Sequence, residues 1–141
     1  MVNDFLNAVT KQLGKTFGTT YHYYVENVEQ GLIKPCFTVD MLTPLERSRS
    51  AILYDRTFPL VVHYFGINPE KIKKECYAMA EDLIECLEYI PFNNTFIRGE
   101  NISWHMVEDV LQAFVTYKFV TKSDKPLDAN METLKQDIGS D

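Results

Sequence analysis

The chain is poor in what metal-binding, secreted and catalytic proteins are built from. It has three cysteines, Cys36, Cys76 and Cys86, an odd number at spacings that form neither a disulfide framework nor a CxxC metal pair. They read as buried thiols of a reducing, cytoplasmic compartment. The six glycines are scattered, and none forms a GxGxxG or GxxxxGK loop to cradle phosphate. His22, His63 and His105 fall in three separate strand-like segments with no HxH or HxxxH spacing, which argues against a tetrahedral metal site. A GxSxG elbow is missing, as is any cysteine in a polar, glycine-rich context, so nucleophilic catalysis has no candidate. The adjacent pairs Glu81-Asp82 and Glu108-Asp109 read as solvated surface. No catalytic residue, metal or other cofactor is therefore expected. There is no long basic run beside the net charge of −6, which disfavours a tight grip on nucleic acid. Met1 to Lys15 spaces its apolar residues with polar ones, unlike a signal peptide or a membrane span.

What is present is apolar and aromatic. A hydrophobic share of 45 % over 141 residues suffices for one folded domain with its own core. Within Arg56 to Phe65, RTFPLVVHYF, a strand would turn Phe58, Leu60, Val62 and Tyr64 to one face. It would turn Val61 and Phe65 to the other face, with Thr57, Pro59 and His63. A chain of this size has helices for one sheet face only, so the second face asks for a partner. Tyr21, His22, Tyr23 and Tyr24 alternate faces without a matching basic stripe, which favours packing over a platform for bases.

Val2, Phe5, Leu6, Val9 and Leu13 recur at helical spacing and predict a first helix over about 2–17, stopped by Gly18. Strands are expected over Thr19 to Val28, over Cys36 to Leu42, and from near Ile52 to Gly66. Thr43 to Ser50 between them reads as a polar loop or hairpin tip. Asn68-Pro69-Glu70 predicts a helix start, and Ile72, Cys76, Met79, Leu83, Leu87 and Ile90 form the apolar stripe that Pro91 ends. Glu70 with Lys74 and Lys71 with Glu75 read as ion pairs on its wet side. Short segments over Thr95 to Arg98 and Ile102 to Val107 precede a long strand, Val110 to Thr121. Leu127 to Ile138 reads as a weak last helix.

This order predicts an α+β fold. It would have an antiparallel or mixed sheet of about five strands, two main helices packed on one face, and a short C-terminal helix. Residues 1–122 would form the domain and 123–141 a linker with that helix. Arg47, Arg49 and Arg56 are the one cluster of cations. They suit contacts to acidic groups of a neighbouring subunit, such as Glu26, Glu29 or Asp55, and equally suit a solvated loop.

YVENVEQGLIKPCFTV (24–39), the strand ending VVHYF, and GENISWHMVEDVLQAFVTYKF (99–119) resemble the small phage tail terminators of prophages and contractile tail-like particles of Gram-positive bacteria. The stretch Gln30 to Phe37, QGL-x-x-PCF, is the most specific piece. The resemblance implies a structural virion protein without catalytic residues, assembled in the host cytoplasm into a hexameric ring at the head-proximal end of a tail. Such a ring caps the tail tube, stops its polymerisation, and meets neck or connector proteins and, in a contractile tail, the sheath. DNA would only pass through the lumen, where carboxylates would repel phosphate. A neck or head-completion protein and a small non-catalytic ligand-binding module are the alternatives. Val61, Phe65, Trp104 and Phe114 are the expected apolar anchors of a subunit or partner interface.

Overall fold

The computed structural model describes residues 1–25 and 31–122. The elements run α1 (Val2–Phe17), β1 (His22–Val25), β2 (Cys36–Met41), β3 (Leu45–Ser48), β4 (Leu53–Phe65), α2 (Ile72–Leu87), β5 (Tyr89–Phe92), β6 (Thr95–Val107) and β7 (Val110–Lys122). The strands form one sheet in the order β1-β2-β4-β7-β6-β5, and β3 pairs with β4 beside the end of β2. Among the described residues, β1 and β2 are the one parallel pair.

The expectation of about five strands under two helices is corrected. Among the described residues the fold is mostly β, at 49 % strand and 27 % helix, a curled seven-stranded half-barrel with two helices. Three local readings account for the difference. β3 was expected as loop because Leu45 to Ser48 is exposed throughout, so no apolar alternation marks it. β5 lay hidden at the end of the helical stripe: Ile90 is in phase with α2, yet the helix ends at Leu87 and Ile90 is buried from a strand. Pro91 fits there because it faces out on the edge strand, where no ladder donor is needed. The two short segments after it are one strand, β6, interrupted by a bulge that places an extra residue between Glu100 and Ser103. The anticipated last helix and the end of the first strand lie outside the described residues.

α1 forms as its spacing dictates. Phe5, Leu6, Val9 and Leu13 are buried, and Gly18 at φ 83° ends the helix in a conformation that L side chains resist. Phe5 sits among Phe58, Phe92, Tyr117 and Phe119 at ring distances of 5.1–5.5 Å. α2 starts at Ile72, later than Asn68-Pro69-Glu70 suggested. No side chain caps α2 at Lys71, and the Glu75 carboxylate of its first turn instead turns back on the preceding loop. It accepts from the Ile67 and Asn68 backbone N–H groups at 3.3 and 3.1 Å and from the Tyr64 hydroxyl at 2.5 Å. Glu75 is thus a loop anchor rather than half of a surface pair. Burial, and then this hydrogen bond, push the Tyr64 hydroxyl pKa up.

Phe37, Val39, Phe58, Leu60, Val62, Tyr64, Leu111, Ala113, Val115 and Tyr117 join both helices in one core. The β4–β7 register, from Leu53↔Lys122 to Tyr64↔Leu111, and the β2–β4 register, with Phe37↔Tyr64 and Val39↔Val62, put these side chains on the helix-facing side together. Tyr117 donates its hydroxyl to the Leu87 carbonyl at 2.6 Å, and the Gly99 N–H donates to the Glu88 carbonyl at 2.7 Å, tying the end of α2 to the sheet. No side chain fits at Gly99, since a Cβ there would lie 2.7 Å from Val115 Cγ2 and 2.8 Å from the Leu87 carbonyl oxygen. Gly99→Ala should therefore cost about 1–3 kcal/mol of stability by overpacking. Denaturant unfolding checks this, and an unchanged midpoint would show that the α2–β6 contact yields easily.

Candidate functional site

With the helix-facing side of the sheet filled, candidate contact surfaces lie on the other face and at the two ends of β4. Val61 and Phe114 are cross-strand partners on that other face, and Phe65 follows two places on from His63. Val61 is 5 % exposed, already covered by its sheet neighbours, while Phe65 and Phe114 are half-buried. Phe114 stacks on His105 and Phe65 on His63, with ring centroids 5.2 and 6.3 Å apart. Trp104 does not join them. It pairs with Ala113 on the helix side and leans on Tyr77 of α2, with ring centroids 5.6 Å apart.

At the N-terminal end of β4, every residue from 42 to 52 is exposed. This arm is β3, its turn and the start of β4. Leu42, Leu45 and Ile52 project from it, and Val120 lies nearby on β7 opposite Asp55. Ser50 holds the turn: its hydroxyl accepts from the Ile52 and Leu53 N–H groups at 3.4 and 3.2 Å, and its carbonyl accepts from the Ser48 hydroxyl at 3.0 Å. The three arginines sit along the arm in different situations. Arg49 is paired with Asp55 at 2.8 Å. Arg56 lies on the helix-facing side, bonded to Glu46, over the Tyr54 ring and donating to Thr121 Oγ1 at 2.7 Å. Arg47 is exposed and makes no ion pair among the described residues. Glu26 and Glu29 lie outside the described residues.

The opposite end of β4 carries a groove of about 500 Å³ that sequence reasoning missed. Phe65, Ile67 and Val110 form its apolar wall, with Lys34, Glu108 and Asp109 at the rim. Ile67 is 60 % exposed. The only sign of it in the sequence is an isoleucine placed between Gly66 and Asn68, in a loop that has no core to fill.

Chemistry is sparse. No group of three or more His, Cys, Asp or Glu side chains among the described residues could hold a metal. Burial raises the pKa of Cys36, Cys76 and Cys86, which keeps these thiols protonated and poor as nucleophiles. No helix of the described residues is long and apolar enough to cross a membrane.

The sequence profile of the phage tail terminator proteins matches residues 4–128. The chain belongs to the phage tail terminator family. No curated protein matches the sequence. The family is one of structural proteins of the virion tail, and membership gives this terminator a role in tail assembly among other tail proteins.

His63 gives the terminator a pH-dependent stability. Its Nδ1 lies 3.7 Å from Asp40 on β2, beneath a surface where Thr38 is fully buried. Burial lowers the His63 pKa below its ordinary 6.5, and the Asp40 carboxylate opposes this only in part. The folded state therefore favours the neutral ring. Its contribution to stability is fully present above pH 6.5 and is lost as the pH falls through the lowered folded value. His63→Gln should flatten the fall in unfolding free energy on mild acidification, read by denaturant melts across that range; parallel curves for the two proteins would contradict it.

Proposed function

We propose that this terminator assembles as a ring, hexameric by the resemblance of its sequence, at the head-proximal end of the tail. There it caps the tube, stops tube polymerisation, and presents a surface to neck proteins and, where one exists, the sheath. It acts without catalysis or cofactor, and DNA only passes through its lumen. The observation that carries this reading is the face of β4 and β7 turned away from the helices. Phe65 and Phe114 remain half-exposed on it, and no helix of the described residues covers them. Full burial of an exposed side chain of this size contributes about 1.5–3 kcal/mol, and the area these two still expose supplies only a fraction of that each.

A closed ring is built from head-to-tail contacts, so each subunit needs two different surfaces. The arm bearing Arg47, Arg49 and Arg56 is one, and the sheet face with Val61, Phe65 and Phe114 is another. Trp104 with Tyr77 forms a third patch, on the helix side, suited to a tail partner. Among the interface candidates, Phe114 and Phe65 have more area to give than Val61.

Solution mass and negative-stain images of the purified protein, followed by its addition to polymerising tube protein, test the reading. Single rings and tubes halted at shorter lengths are expected. A protein that stays monomeric at high concentration and leaves tube growth unchanged would overturn it. Phe114→Glu should weaken assembly about tenfold or more, since a half-exposed carboxylate would be desolvated in the contact; assembly at the wild-type concentration would remove this face from the interface.

A further inference from the structure

The two ends of β4 are chemically complementary. The arm offers Arg47, with Leu45 on the same strand and Ile52 in the turn beyond it, both exposed. Arg49 is held by Asp55 and Arg56 by Glu46, so these two brace the arm and Arg47 is the cation it presents. The groove offers apolar surface at Phe65 and Ile67 below two carboxylates, Glu108 and Asp109, that make no ion pair among the described residues. Lys34 shares the rim, with its ammonium 6.0 Å from the centre of the Phe65 ring.

The turn that carries these carboxylates is unusual on conformational grounds. Glu108 and Asp109 both have positive φ, 47° and 65°, in the two-residue connection between β6 and β7. Folding alone favours Gly, Asn or Asp at such positions, so Asp109 is suited to its place and Glu108 is not. The corresponding turn between β5 and β6 has Asn93 and Asn94, at φ 51° and 62°. A glutamate where asparagine would strain less points to a charge at position 108 that acts outside the fold.

Arm and groove cannot meet within one molecule, because β4, 13 residues long, separates them by roughly 40 Å of strand. We propose that the arm of one copy docks into the groove of the next. Arg47 then meets Glu108 and Asp109, while Leu45 and Ile52 cover Phe65 and Ile67. This rests on the ring reading and supplies its subunit contact. The contact joins two different surfaces, so it repeats from copy to copy rather than stopping at a dimer, and builds a ring where the rotation closes. The turn ordered by Ser50 lowers the entropy lost on docking.

Charge reversal on the full chain tests the contact, with assembly followed by light scattering against concentration and folding by thermal melts. Arg47→Glu, and separately Glu108→Lys with Asp109→Asn, should each raise the concentration needed for assembly about tenfold or more while leaving the melt unchanged. Asparagine at 109 keeps the left-handed turn tolerable. The three changes combined should restore assembly. If the wild type and both reversed proteins assemble alike, or the combined variant stays as weak as its parents, the docking is wrong although the ring stands. A monomeric wild type would overturn both.

Discussion

The pairing of β4 with β7 is the constraint on which the rest of the molecule depends. Side chains alternate along a strand, so one register decides the content of both faces for all twelve paired positions, Leu53 to Tyr64. In this register Phe58, Leu60, Val62 and Tyr64 meet Tyr117, Val115, Ala113 and Leu111 under the helices. A slip of β4 by one residue would bring His63 into the core and turn Phe58 out to water. The same register assigns Phe65 and Phe114 to the other face. The apolar surface left for a partner is thus a consequence of how the core is aligned.

The ends of the sheet follow from unequal strand lengths. β4 and β7 each run 13 residues, while β2 runs six, so the long pair extends past the helices and past its shorter neighbour. β3 fills part of the gap beside β4 and becomes an exposed arm. At the other end the loop after β4 is drawn back by Glu75, which holds the Gly66 to Asn68 turn in place and leaves Ile67 exposed. The loop anchor and the arm are structural devices, and both deliver apolar side chains to the surface.

Strong periodicity was legible in the sequence. Val2 to Leu13 marked α1, and the alternation of Val110 to Thr121 marked β7. What escaped was structure without a burial signal. β3 is exposed on both faces, and Ile90 fits a helical stripe as well as it fits β5. Glu75 looked like half of an i,i+4 pair because spacing shows where a side chain starts and not where its carboxylate turns. The apolar face of β4 was readable from RTFPLVVHYF, but the division between covered Val61 and half-exposed Phe114 depends on neighbouring strands. The groove needed three separate segments brought to one end of the sheet, so no single stretch announced it.

The central claim is that the two ends of the β4–β7 pair meet between copies. Amide hydrogen exchange compared between assembled and dissociated protein tests it directly. The account predicts slowed exchange on assembly in the arm, 42–52, together with the groove segments around Ile67 and Glu108. Protection confined to the β5–β6 edge, with both ends of β4 unchanged, would contradict it.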